Sequence, residues 1–203
     1  MKFRTKFVAV ALGVLSAVLL NASSSQAATT WDAVKKKIEG CKDYSLTYAY
    51  NGPKGKFNFE YVFVASPMKI RTKILRGSDR NVGTVTVYDK DKDANTVAYR
   101  VGSSQLKRSL DHKDVTGTAF YQGVYTLVLS NVKGATPKVS AGETMKGKAT
   151  TLFEFNVGAG GTYKIWATDD GDIVQTQKIE GAKVTEERKF SDIKWNSNPS
   201  TSW

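Results

Sequence analysis

Few of the 203 side chains are of types that do covalent chemistry: the chain has one His, His112, and one Cys, Cys41. His112 lies in LDHKD, beside Asp111 and close to Ser109. These three offer a Ser-His-Asp hydrolase reading, yet no G-x-S-x-G elbow presents a nucleophile. Triad geometry is assembled in space, and sequence neighbours rarely form it; an exposed polar loop is the competing reading. A zinc site needs three or four Cys, His or carboxylate ligands, which one His and one Cys do not supply. In DKDKDAN, Asp89, Asp91 and Asp93 alternate like the start of a calcium loop. The Gly and Glu such a loop needs at its sixth and twelfth positions are here Ala94 and Arg100. Two lysines in the segment would oppose a cation, so it reads as a charged hairpin turn. DDGD, Asp169 to Asp172, is a hairpin turn by its Asp-Gly. GAGG lacks the strand-to-helix context of a phosphate loop, and nothing singles out a carboxylate pair for glycoside hydrolysis. The residues therefore favour a non-enzymatic protein without metal or cofactor.

Other features give it an address. Lys2, Arg4 and Lys6 precede an apolar run from Phe7 to Leu20, and Ser25-Gln26-Ala27 puts small residues before Ala28. This is the layout of a secretory signal peptide over 1–27, with an apolar core shorter than the ~20 residues of a membrane-spanning helix. The expected product is one domain, 28–203, exported to the periplasm, or secreted if the cell has no outer membrane. It keeps 27 basic and 19 acidic residues, a net charge of +8. Such a charge suits transient contact with anionic lipid surfaces. Export argues against nucleic acid. Cys41 has no partner for an intrachain disulfide and reads as buried packing.

The elements that would position any site follow from periodicity. Thr30 to Cys41 reads as a helix capped by Thr30, with Trp31, Val34, Ile38 and Cys41 along one stripe. Strands are expected over Tyr44–Tyr50, Lys56–Ala65, Met68–Leu75, Thr84–Asp89 and Thr96–Gly102. In the second, Phe57, Phe59, Tyr61 and Phe63 share one face. In the third, Met68, Ile70 and Ile74 alternate with Lys69, Arg71 and Lys73. Ser103–Thr118 shows neither period and reads as a long irregular connection. Ala119–Val132, with Phe120, Val124, Leu127 and Val128 at helical spacing, reads as a short buried helix, a buried strand being the alternative. Lys133–Lys148 reads as loop, Ala149–Val157 as a strand, and Tyr163–Asn196 as three more.

The expected fold is therefore mainly β (α+β). About nine antiparallel strands curl into a meander or incompletely closed barrel, with an N-terminal helix and a short covering helix. An incompletely filled curl leaves an apolar hollow of the kind ligands occupy; a solid core is the alternative.

Three stretches carry a resemblance to a known family. Pro67 to Arg71 in SPMKIR, the strand-hairpin-strand VTVYDKDKDANTVAYRV, and the final meander with YKIW and FSDIKWN resemble, in order and spacing, the LolA/LolB-like superfamily of periplasmic lipoprotein carriers. The resemblance spans most of 30–196. It implies an incompletely closed antiparallel barrel whose mouth is covered by helices and whose interior holds acyl chains. It also implies a role for Arg71, matched to a strand arginine that helps hold the lid shut; the alternation alone makes Arg71 an outward charge.

The expected ligand is an acyl chain, lipoprotein lipid or similar apolar molecule, and its transport between membranes is the role the resemblance implies. A lipoprotein or an envelope protein is the expected macromolecular partner. The expected wall is Phe57, Phe59, Tyr61, Phe63, Met68, Ile70, Val97, Tyr99, Phe153 and Phe155. Phe120, Val124, Leu127 and Val128 form the cover, and Lys69 and Lys73 are rim charges for phosphate head groups. A sensor or protein-interaction domain of the same fold, with a filled core and an exposed edge strand, is the alternative.

Overall fold

The computed structural model describes residues 28–158 and 161–202. The expected signal peptide, Ala159-Gly160 within the expected GAGG turn, and Trp203 lie outside them.

α1 (Trp31–Glu39) starts where Thr30 accepts the Ala33 amide at 3.2 Å, as an N-cap should. Its stripe of Val34, Ile38 and Cys41 is buried. Six strands then run in sequence as a meander: β1 (Asp43–Gly52), β2 (Gly55–Val64), β3 (Lys69–Arg76), β4 (Val85–Asp89), β5 (Thr96–Val101) and β6 (Ser104–Ser109). After a turn-rich segment comes α2 (Val124–Asn131). A second meander follows: β7 (Lys138–Ala141), β8 (Thr150–Asn156), β9 (Gly161–Thr168), β10 (Ile173–Glu180) and β11 (Lys183–Trp195). β1 pairs antiparallel with β11, with Tyr48 opposite Phe190 and Tyr50 opposite Arg188. That pairing joins the meanders into one sheet of order β6-β5-β4-β3-β2-β1-β11-β10-β9-β8-β7. β6 and β7 are its unpaired ends, so the barrel is not closed.

Two expectations need correction. Ser103–Thr118 is not wholly irregular, since it contains β6, and Lys133–Lys148 contains β7. Both are edge strands lying almost entirely in solvent. A strand wet on both faces has no apolar alternation to betray it, hence eleven strands where about nine were expected.

The core lies on the concave face. β1 contributes Tyr44, Leu46 and Tyr48, and β2 contributes Phe59, Tyr61 and Phe63; all are buried. Their rings stack across the strand pair, with Tyr44 to Phe63 at 4.9 Å and Tyr48 to Phe59 at 4.7 Å between centroids. α1 covers the second meander, with Trp31 against the rings of Phe153 and Phe155 at 5.4 and 4.9 Å. α2 runs across the centre and touches both meanders: the Val124 amide donates to the Tyr61 hydroxyl on β2, and the Tyr125 hydroxyl donates to the Ile173 carbonyl at the start of β10. Among the described residues no helix is long and apolar enough to cross a membrane.

Candidate functional site: a hollow under the curled sheet

The covering segment is held by the wall itself. α2 begins after Gly123, which supplies no side-chain cap. The orphan amides of its first turn instead meet two tyrosine hydroxyls from the sheet. Tyr61 Oη accepts the Val124 N–H at 3.1 Å, and Tyr44 Oη accepts the Tyr125 N–H at 3.3 Å. The Tyr61 hydroxyl proton faces the carbonyls of Ala119 and Gln122, at 2.9 and 3.0 Å. Burial raises the pKa values of both phenols, so both stay protonated at any ordinary pH.

With α2 and residues 119–123 seated on the middle of the concave face, a hollow lies at each end of the strands. One, of about 900 Å³, lies between the helices. It is lined by Trp31, Ile38, Tyr44, Phe63, Leu129 and Pro137 among others, with two lysines, Lys35 and Lys133, against two carboxylates, Asp32 and Glu39.

The other, of about 660 Å³, lies at the β1–β2 hairpin end. Its apolar wall comes from successive strands: Tyr48 and Tyr50 from β1, Phe57 and Phe59 from β2, Ile74 from β3, Tyr99 and Val101 from β5, and Leu106 from β6. Phe120 closes it from the cover, its ring edge-on to Phe59 at 6.2 Å and to Tyr99 at 6.1 Å. Val101 and Leu106, 44% and 49% exposed, mark the side that reaches solvent. Residues 113–118 form a strap along the mouth. Lys54 Nζ pins it by donating to the carbonyls of Lys113 and Thr116 at 3.0 and 2.9 Å.

Polar groups share this lining with the aromatic wall. Thr84 and Thr86 present buried hydroxyls. The Tyr99 hydroxyl is buried with no hydrogen-bond partner. Burial, with Asp114 nearby, pushes its pKa up to about 12. Arg188, on β11, is 5% exposed and also lines the hollow. Its Nη1 bonds Glu186, and its guanidinium lies over the Tyr50 ring at 5.3 Å. Burial alone would lower the Arg188 pKa; Glu186 and the neighbouring tyrosines outweigh it and hold it above its ordinary value, so the cation is permanent.

The expected wall is thus divided by the helices. Phe57, Phe59, Tyr99 and Phe120 come together in the hairpin-end hollow, and Phe63 lines the other. Tyr61, Ile70, Val97, Phe153 and Phe155 are fully buried among the protein's own side chains, and Met68 packs on the edge of that core. Val124, Leu127 and Val128 face the same core from the cover. Arg71 lies on the outer face, its Nη1 2.6 Å from Glu60, so its side chain does not reach the cover. Lys69 also points outward, paired with Asp89 at 3.3 Å, and Lys73 shares its face. These two lysines line neither hollow.

Sequence reasoning missed Arg188, Tyr48 and Tyr50. A signal existed for the tyrosines, which continue the alternation of Tyr44 and Leu46. Arg188 stands two residues before buried Phe190 on the same face, but KVTEERKF reads as a solvated charge run.

The chemical candidates take structural positions. His112 Nδ1 accepts the Asp114 amide at 3.2 Å inside a turn, and among the described residues no hydrogen bond joins it to the Ser109 hydroxyl. Asp93 ties its own turn through Asn95 N and Thr96 Oγ1. Among the described residues no three His, Cys, Asp or Glu side chains cluster to hold a metal.

No protein-family model matches the chain, and no curated protein matches it. Solved structures do. The lipoprotein LppX of Mycobacterium tuberculosis aligns over 84% of this chain and 95% of its own, with 13% identity and a TM-score of 0.55. LprF of Mycobacterium bovis aligns over 84% and 94%, with 11% identity and a TM-score of 0.51. An uncharacterised conserved protein of Thermus thermophilus aligns over 81% and 84%, with 9% identity and a TM-score of 0.53. At such identities the likeness is one of fold alone: an open, curled antiparallel sheet.

Proposed function

We propose that this chain is an exported, non-enzymatic binding protein, one domain over 28–203, that holds the acyl chain of an amphiphile in the hairpin-end hollow. The observation that carries the reading is the hollow itself. It measures about 660 Å³ and is walled by Phe57, Phe59, Ile74, Tyr99, Leu106 and Phe120. Known ligand pockets span ~300–1,000 Å³ and combine an apolar lining with a few placed polar groups. The signal-peptide pattern before Ala28 and a fold shared with a lipoprotein support the same reading. Carriage between membranes is the role we assign to such a protein.

The test is organic extraction of the purified chain, followed by mass spectrometry, alongside Leu106→Asp and Phe57→Asp. Both positions line the hollow without being fully buried, so a charge there opposes an acyl chain while sparing the core. Extractable lipid in the wild type that drops several-fold in both variants supports the reading. Lipid content that both variants leave unchanged refutes it. One observation favours a second reading, a protein-interaction domain: the centre of the concave face is filled by α2 and Tyr61. That reading predicts no extractable lipid and capture of a single envelope protein.

A further inference from the structure

The two hollows differ in electrostatics more than in size. The one between the helices balances two lysines with two carboxylates. The hairpin-end hollow carries four cationic side chains, Lys54, Arg108, Lys113 and Arg188, against one carboxylate, Asp114. Three of the four sit at the mouth, Lys54 in the β1–β2 turn, Arg108 on β6 and Lys113 on the strap, where water screens them. Arg188 is different: its side chain is 6% exposed, in an aromatic wall.

A buried guanidinium with one partner has capacity left over. Arginine presents five N–H donors in a rigid fork. Among the described residues Glu186 takes Nη1, and neither Nε nor Nη2 has a hydrogen-bond acceptor. The Tyr50 ring lies beneath the guanidinium at 5.3 Å, a cation–π contact. The free donors are not sealed in the core but open onto the hollow, where an anion can reach them. Tyr99 adds a second unmet polar group to the same lining.

We infer that the ligand of this hollow is an amphiphile with a compact anionic head, a carboxylate or a phosphate monoester, and that Arg188 is the residue that reads the head. The inference rests on the binding function proposed above and adds the class of ligand. The chain lies along Phe57, Phe59 and Phe120, and the head meets the free edge of the Arg188 fork. Lys54, Arg108 and Lys113 supply a positive entrance that draws anions inward. Glu186 is a positioning residue, holding the guanidinium on Tyr50.

The test displaces a neutral fluorescent probe, N-phenyl-1-naphthylamine, with three ligands sharing one C16 chain: palmitate, hexadecyl phosphate and hexadecanol. Against the wild type at least one anionic ligand should compete about tenfold better than hexadecanol, as expected for a charge-assisted hydrogen bond. In the double variant Arg188→Met with Glu186→Gln, which removes both charges of the pair, the ratio of anion to hexadecanol competition should fall to about one. If hexadecanol matches both anions on the wild type, or the advantage survives in the variant, the head-group assignment is wrong and the apolar hollow stands. If none of the three displaces the probe, the hollow itself is not a binding site and both readings fall. A second measurement does not depend on the double variant folding. In arginine-labelled wild type, the Arg188 Nε–H resonance, assigned with Arg188→Lys, should shift with the competing anion and not with hexadecanol. No shift with either anion overturns the assignment.

Discussion

Removing the Tyr61 hydroxyl should loosen the cover. Tyr61→Phe keeps the ring, which stacks 6.0 Å from Tyr44, and deletes only the oxygen. The deletion leaves the Val124 N–H without an acceptor at the start of a helix whose own N-cap residue, Gly123, offers none. It also strips a donor from the carbonyls of Ala119 and Gln122. Each buried polar group left unpaired costs ~1–3 kcal/mol. The two carbonyls share one proton and Gln122 is half-buried, so together they count as one loss of about 1 kcal/mol, and the variant should be less stable by about 2–4 kcal/mol. With a urea m-value of ~2 kcal/mol/M, the unfolding midpoint should fall by about 1–2 M at unchanged m. Tyr44→Phe, which loses a single longer bond at 3.3 Å, should cost only about 1 kcal/mol. Native-state amide exchange then locates the effect: Val124 should lose protection in Tyr61→Phe by more than the global change requires, because residues 119–131 open before the sheet does. A destabilisation below about 0.5 kcal/mol, with Val124 protection unchanged, would refute the claim that the wall caps the cover.

Other expectations follow from the same packing. Tyr44, Tyr48, Tyr61, Tyr99 and Tyr125 all have raised pKa values, with burial the leading cause. A folded pKa above the unfolded value of ~10 means stability is intact below about pH 10 and falls as pH rises beyond it, by about 1.4 kcal/mol per pH unit for each such tyrosine. Tyrosinate absorbance of these residues should therefore appear together with loss of circular dichroism; their ionisation in a still-folded protein would contradict the burial assigned to them. The Cys41 thiol is buried, donates to the Ile38 carbonyl at 3.0 Å and has a pKa raised by burial. It should react with a disulfide reagent slowly at pH 8 and at once in urea; fast reaction of the native protein would place it at the surface. Arg71→Ala should change stability by no more than about 1 kcal/mol and leave probe binding alone, because its partner Glu60 is 46% exposed on the outer face. A larger loss with weakened binding would restore the lid role that the resemblance implies.

Particular residues show why some of this was legible in the sequence and some was not. Thr30 and the Trp31-Val34-Ile38-Cys41 stripe specify α1 locally, and β2 declares its face through four alternating aromatics. Periodicity names a face but not what covers it. Phe59 and Phe155 both point to the concave side, yet Phe59 lines the hollow while Phe155 lies under Trp31. Which part of the face α1 and α2 occupy depends on contacts such as Tyr61 to Val124, made across long stretches of chain. Arg188 faces inward because β11 pairs with β1, a union of the chain's two ends that local composition does not encode. β6 and β7 escaped notice because a strand bathed in water on both faces carries no pattern.

The central claim is that the hollow beside the β1–β2 hairpin receives an acyl chain. A crystal structure of the protein with a terminally brominated C16 carboxylate tests it most directly, since bromine scatters anomalously and marks the end of the chain. The account predicts a bromine peak among Phe57, Phe59, Tyr99 and Phe120. A peak only between the helices near Trp31 and Leu129, or none inside the protein, would contradict it.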